Sequence, residues 1–241
     1  MRAILLENIV IEENQKLITI VGKNHHHLAN VVRIKNEENI LILDGNGSKY
    51  HSVVKSVSKK STDLEIQSSL KEENRELIHV AFALTKKEAI EEVLKICVEC
   101  GIRKIYPMLT DYSQRKFEVN ERLERVIESA MVQSNNAFLP KIESVLNFDE
   151  KFVDKIKKYK KVFFFDSDPI TKGKVDGSIE NNESTVLIII GPEGGFSPRE
   201  QLLAKSIENI ALVHFPTPIL RTPTALACAI GHALGYFSNW P

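Results

Sequence analysis

The chain has 241 residues, 43 % of them hydrophobic and 27 % charged, with 32 basic against 32 acidic residues and a formal net charge of zero. This fits one large globular domain or two modest ones and excludes a long disordered chain. Neutrality excludes a wholly basic nucleic-acid binder, so any such surface must be a local patch; three cysteines exclude a disulfide scaffold and fit a reducing, cytoplasmic setting.

The opening "MRAILLENIVIEENQ" carries a single basic residue and no long apolar stretch, so it reads as no signal peptide. Up to residue 70 the elements are short strands: "RAILL", "KLITIV", "NILIL", "KYHSVVKSV" and "DLEIQ" are rich in β-branched residues and separated by polar punctuation. "DGNG" at 44–47 supplies the positive φ that a tight hairpin needs. Only "HHHLANVVR" at 25–33 has helical spacing, through Leu28, Val31 and Val32. The expectation is a small, mostly antiparallel β-barrel over 1–72. The charged run "KEENRE" at 71–76 is either a linker or a strand end with a solvated turn.

From residue 77 strands and helices alternate. "LIHVAFAL", "IRKIYPML", "KKVFFFD", "TVLIIIG" and "IALVHF" read as strands. Helices are expected over "KKEAIEEVLKICVECG", over 119–137, from Ser197 and from about Thr222. Such alternation predicts an α/β domain over 73–241, a mainly parallel sheet covered on both faces. Ligands of these sheets sit at the carboxyl ends of strands, here near Asp166, Gly191 and Phe215. The apolar tail "TALACAIGHALGYF" holds His232 and is too short to span a bilayer.

"IIIGPEGGFSPRE" at 188–200 ends a buried strand in a glycine-rich loop. Ser197, Pro198 and Glu200 form an N-cap, a first-turn proline and a capping box. Glycines there allow close backbone approach, and exposed N–H groups suit a polar or anionic ligand. Neither a dinucleotide fingerprint nor a Walker loop is present; plain packing and ligand contact are equal readings. "FPTPILRTPTALACAIGHALG" at 215–235 stiffens a loop with Pro216, Pro218 and Pro223 before a capped helix of small residues. Arg221 in this rigid loop is a candidate anion or substrate contact.

Together "IGPEGGFSPRE" and "ILRTPTALA" resemble the ribosomal RNA small subunit methyltransferase E family of the SPOUT superfamily. "HHHLANVVRIK" resembles that family's segment in its N-terminal PUA-like, RNA-binding barrel, and "VECGIRKIYPM" and "QSNNAFLPKI" resemble two further segments. The resemblance implies S-adenosylmethionine as cofactor and methylation of N3 of one uridine in small-subunit ribosomal RNA. It also implies a trefoil knot in the C-terminal domain and a homodimer acting on the RNA or on the assembling 30S subunit, with no metal and no membrane. Implied cofactor contacts are Phe165, then Ile190, Gly191, Pro192, Gly194 and Gly195, then Ile219, Leu220, Thr222 and Ala225. The chain departs from the family's usual residues at Val132, Asn136, Pro223, Ala89 and Ile96.

Uracil N3 must lose a proton, and the charge left on O2 and O4 calls for a cation or N–H donors. Arg221 is the candidate cation and Glu193 a candidate base or orienting group. Candidate phosphate contacts are Arg2, Arg33 and Lys35 in the first half, and Lys86, Lys87, Arg103, Arg115 and Lys116 in the second. Other signals are discounted. "CVEC" at 97–100 reads as two cysteines on one apolar helix side, "HHH" lacks metal-ligand spacing, and "KFVDKIKKYKK" at 151–161 reads as a solvated helix face. Two rival readings are a non-catalytic RNA-binding protein on this scaffold and a small-molecule enzyme using the same loop.

Overall fold

The structure is a computed structural model and describes residues 2–7, 9, 11, 15–114, 117–167 and 185–237. The chain divides into two compact units, Met1–Asn74 with Glu128–Leu139, and Arg75–Ile127 with Pro140–Pro241.

The first unit holds strands β1 (Arg2–Leu5), β2 (Leu17–Val21), β3 (Asn39–Leu43), β4 (Ser48–Val57) and β5 (Ser61–Lys71). They form one sheet in the order β1-β3-β4-β5-β2, antiparallel except for β1 beside β3. Side chains alternate across it: on β2, Ile18 and Ile20 are buried while Leu17, Thr19 and Val21 are exposed. The inward residues meet Leu28, Ile40, Ile42, Val54 and Leu64 in one core. In the "DGNG" turn the Asp44 carboxylate accepts the N–H groups of Asn46 and Ser48, each at 2.7 Å, and Gly45 has φ 77°. A second cluster packs Ala137 and Phe138 on Leu41 and Leu43.

The helix of this unit starts earlier than its spacing predicts. It runs as α1 (Gly22–His26) and continues as a π-helix over His27–Val32. The wider winding changes which residues share a face. Leu28 is buried, but Val31 is 63 % exposed. His25 turns inward instead and lies 2.9 Å from Thr62 Oγ1.

The second unit comprises β6 (Ile78–Ala83), α2 (Lys87–Glu99), β7 (Lys104–Leu109), α3 (Glu121–Ser134), β8 (Lys141–Ile142), β9 (Leu146–Asn147), α4 (Glu150–Ile156), β10 (Lys161–Phe165), β11 (Val186–Ile190), α5 (Pro198–Lys205), β12 (Ile210–Val213) and α6 (Thr222–Leu234); the last seven residues of α3 count with the first unit. The sheet order is β12-β10-β11-β6-β7-β8, with β9 also on β7, and every pairing is parallel. Every residue of β6 and β11 is buried, as central strands covered on both faces require. One face takes Phe164, Leu187 and Ile189 against α4 and α5; on the other, α6 lies on β10 and β11 and packs against α2. Each fully buried aliphatic or phenyl side chain contributes about 1.5–3 kcal/mol.

Two expectations need correction. Residues 151–161 are not a merely solvated face: α4 buries Phe152, Val153 and Ile156, and Tyr159 beyond it is buried among them. The lysines between them are the outer side of an amphipathic turn. Of the two "CVEC" cysteines only Cys97 is core, since the helix ends at Cys100 and leaves it exposed. Burial pushes the Cys97 thiol up, away from reactivity.

Candidate functional site

The adjacent strands β12, β10 and β11 end side by side, and the loops that leave their carboxyl ends enclose a cleft with α6. Phe165 and Asp166 line it from β10, Ile190, Gly191, Pro192, Glu193 and Gly195 from β11, and Val213, His214 and Phe215 from β12. Ile219, Leu220, Thr222 and Ala225 close the side toward α6. The fold therefore gathers residues from three separate parts of the chain that the sequence singles out. Asp166 and His214 also line the cleft, although the sequence names neither as a contact; only the strand end at Asp166 pointed there.

Two singled-out residues do not line it. Gly194 turns outward, its Cβ position 3.6 Å from Tyr112 Cβ. Arg221 extends its guanidinium to Glu92 on α2 at 3.4 Å, both side chains more than half exposed.

Local chemistry explains the shape of the glycine loop. Gly195 has φ 72°, a conformation that L side chains resist, and its N–H donates to Pro192 O at 2.9 Å. The capping box forms as expected: Glu200 N–H donates to Ser197 Oγ at 3.3 Å, and Ser197 N–H to Glu200 Oε2 at 2.9 Å. Thr222 Oγ1 donates to Gly191 O at 3.4 Å, joining the start of α6 to the glycine loop. Asp166, though buried, is satisfied by Gln201 Nε2, which donates to its Oδ2 at 2.9 Å.

The loop after β7 is tied to the same helix start. Asp111 accepts from Arg199 Nη2 at 2.9 Å and from Ser197 Oγ at 2.5 Å, and its N–H donates to Glu200 Oε1 at 2.8 Å. The hydrogen bonds from Arg199 and Ser197 hold the Asp111 carboxyl below its ordinary range.

The candidate phosphate contacts are spread over both units. Arg2 is engaged within its unit, donating to Val32 O at 2.9 Å and lying 3.2 Å from Glu38. Arg33 and Lys35 are exposed, Arg33 at a left-handed turn with φ 56°. Lys86 and Lys87 are exposed at the start of α2, and Lys87 lines a second cleft with Gln114 and Phe117. Arg103 is half-buried; Arg115 and Lys116 lie outside the described residues. Among the described residues no group of three or more His, Cys, Asp or Glu is arranged to hold a metal ion, and no helix is long and apolar enough to cross a membrane.

A parallel sheet sheathed by helices, with a glycine loop shaping a cleft at its strand ends, defines an α/β protein with a candidate ligand site where such sheets bind their ligands. The family follows from the sequence: a profile of the RNA methyltransferase domain matches residues 71–234, and one of the RNA methyltransferase PUA domain matches residues 22–67. The chain belongs to the RNA methyltransferase domain family. It is 29 % identical over 245 residues to ribosomal RNA small subunit methyltransferase E 2 of Borreliella burgdorferi, covering 96 % of each chain. It is 25 % identical over 228 residues to ribosomal RNA small subunit methyltransferase E of Rickettsia conorii, covering 92 % of this chain and 91 % of that one. Its fold matches the crystal structure of a ribosomal RNA small subunit methyltransferase E from Neisseria gonorrhoeae bound to S-adenosyl methionine, with a TM-score of 0.79, 21 % identity and 98 % coverage of both chains.

Proposed function

We propose that this chain transfers a methyl group from S-adenosylmethionine to N3 of a uridine in small-subunit ribosomal RNA. The observation that carries the reading is the cleft of 190–195 and 219–225 at the ends of three adjacent parallel strands. Relatives matching nearly the whole chain are named as small-subunit ribosomal RNA methyltransferases, which supports the reaction class and the RNA.

The residues of the cleft fit such a donor. Backbone N–H groups of the glycine loop suit its polar atoms, and Ile219, 79 % exposed at the mouth, offers an apolar face to an adenine. When bound, S-adenosylmethionine supplies an electrophilic methyl group on a sulfonium. In this reading Phe165, Ile190, Gly191, Pro192, Gly195, Ile219, Leu220, Thr222 and Ala225, which line the cleft, bind and orient the donor, while Gly194 faces away from it; orientation can supply roughly 7–11 kcal/mol of barrier reduction. Arg221 stabilises charge developing on uracil O2 and O4, and Glu193 orients the base or accepts the N3 proton. Arg221 now pairs with the exposed Glu92, and such surface pairs are worth about 0–1 kcal/mol, so turning toward a substrate costs little.

The division of labour follows the chain. Residues 1–72 hold RNA, with Arg2, Arg33 and Lys35 on phosphates, and residues 73–241 carry out transfer, with Lys86 and Arg115 assisting. The reading includes a trefoil-knotted second domain, a cytoplasmic homodimer, and free RNA or the assembling 30S subunit as partner. Calorimetry with S-adenosylmethionine and a labelled-methyl assay on small-subunit RNA test it. Label at uridine N3 is the expected result. Donor binding without transfer would favour a non-catalytic RNA-binding role, and absence of donor binding would overturn the reading.

A further inference from the structure

Residues 110–114, which follow β7, are pinned by hydrogen bonds. Besides the three hydrogen bonds of Asp111 to α5 and its cap, Ser113 Oγ lies 2.7 Å from Thr110 Oγ1 and accepts Thr110 N–H at 3.0 Å. Gln114 N–H donates to Leu84 O at 3.0 Å. Amid these bonds Tyr112 leaves 56 % of its surface exposed. A tyrosine ring has much to gain by burial. Here the backbone on both sides is fixed by bonds the ring does not share, so the ring is held at a defined place as an exposed aromatic face.

Its position gives the face a use. Tyr112 Cβ and Cδ2 lie 3.6 and 3.7 Å from the Cβ position of Gly194, on the outer side of the loop whose inner side lines the cleft. β11 and β7, which carry the two loops, are separated in the sheet only by β6. Two strand spacings amount to roughly 10 Å, a breadth that a single nucleoside can bridge.

We propose that Tyr112 is a stacking platform for the RNA base that receives the methyl group, an assignment that rests on the functional reading above. N3 lies on the Watson–Crick edge of uracil, so a base to be methylated there must leave its pairing and stacking. An aromatic face beside the donor cleft restores the lost stacking to the extruded base, without charge and with little dependence on salt. A lysine or arginine in its place would hold phosphate instead. The bland role for the same ring is to cover the backbone of Gly194.

Three substitutions separate these roles in the labelled-methyl assay, with S-adenosylmethionine affinity and Tm measured alongside. Tyr112→Ala is expected to lower kcat/KM for RNA by about tenfold to a hundredfold, with donor Kd within about twofold of wild type and Tm unchanged. Tyr112→Phe keeps the face and should keep the activity. Tyr112→Leu still covers Gly194 but offers no π face, and should behave as the alanine variant does. A leucine variant as active as wild type, or a phenylalanine variant as impaired as alanine, would overturn the platform while leaving the methyltransferase reading intact. A wild-type protein that binds donor but transfers nothing to RNA would overturn both.

Discussion

A Cβ placed on Gly191 would stand 2.8 Å from Cε2 of Phe196, so the first glycine of the loop and the aromatic that follows it occupy one space. The ring cannot withdraw, because Phe164 and Phe148 hold it with centroids 4.3 and 5.5 Å away. In Gly191→Ala the loop backbone must therefore move. The expected outcome is a destabilisation of about 1–3 kcal/mol, typical of overpacking, and a loss of S-adenosylmethionine affinity of about tenfold or more. Gly194→Ala is the control: its nearest neighbour is Tyr112 at 3.6 Å, an ordinary contact. Melting and titration calorimetry on both variants check this, and equal losses would show that Phe196 does not shape the loop.

Arg221 and Glu92 yield a second prediction. If Arg221 stabilises the charged uracil, Arg221→Ala should lower turnover by about a hundredfold, the scale of one lost oxyanion donor. Donor affinity should change little, since the guanidinium does not line the cleft. Glu92→Gln removes the present partner and should leave both turnover and stability within error, as exposed pairs do. Steady-state kinetics and calorimetry on the two variants separate these effects; unchanged turnover in Arg221→Ala removes it from the mechanism.

A pH dependence follows from Asp111. Arg199 and Ser197 hold its carboxyl below the ordinary 3.8, so the unfolded chain binds that proton first as pH falls. The stabilisation is present above pH 3.8 and is lost progressively below it, through the depressed folded value. Asp111→Asn should therefore melt below wild type at neutral pH, with the gap narrowing as the pH drops under that point. Paired melting curves across the acid range test this, and a gap that stays constant would mean the carboxylate charge plays no part in the latch to α5.

Much of this arrangement is legible in the sequence, for identifiable reasons. β11 shows as an unbroken apolar run, and β6 and β10 as apolar runs interrupted only by His79 and led by Lys161, because parallel strands are buried on both faces. The capping box Ser197–Glu200 is local chemistry and marks the start of α5. Once the strand ends are known, the cleft follows, since ligands of such sheets lie there. Direction and distant contact are not local. Nothing in "ILRTP" says that Arg221 turns to Glu92, and nothing in "TDYSQ" says that Asp111 reaches Ser197. The π winding over His27–Val32 departs from the 3.6-residue period, so Val31, which that period places with Leu28, lies exposed. β8 and β9, of two residues each, are too short to carry any period.

The burial of Tyr159 was hidden by the lysines around it, and it carries the last prediction. Its hydroxyl lies 2.7 Å from His79 Nδ1 and donates to Tyr106 OH at 2.9 Å, while His79 Nε2 lies 3.0 Å from Glu76 Oε2. All three rings are buried, so Tyr159→Phe deprives His79 Nδ1 and the Tyr106 hydroxyl of a partner that water cannot readily replace. The expected cost is about 1–3 kcal/mol with no change in the rest of the packing. Tyr159→Leu should cost more, since it also removes ring contacts edge-on to His79 at 5.4 Å. Urea unfolding of both variants measures the two contributions. A phenylalanine variant as stable as wild type would mean that the ring's fit among α4, β7 and β10, rather than its hydroxyl, is what keeps a tyrosine at the end of this lysine-rich turn.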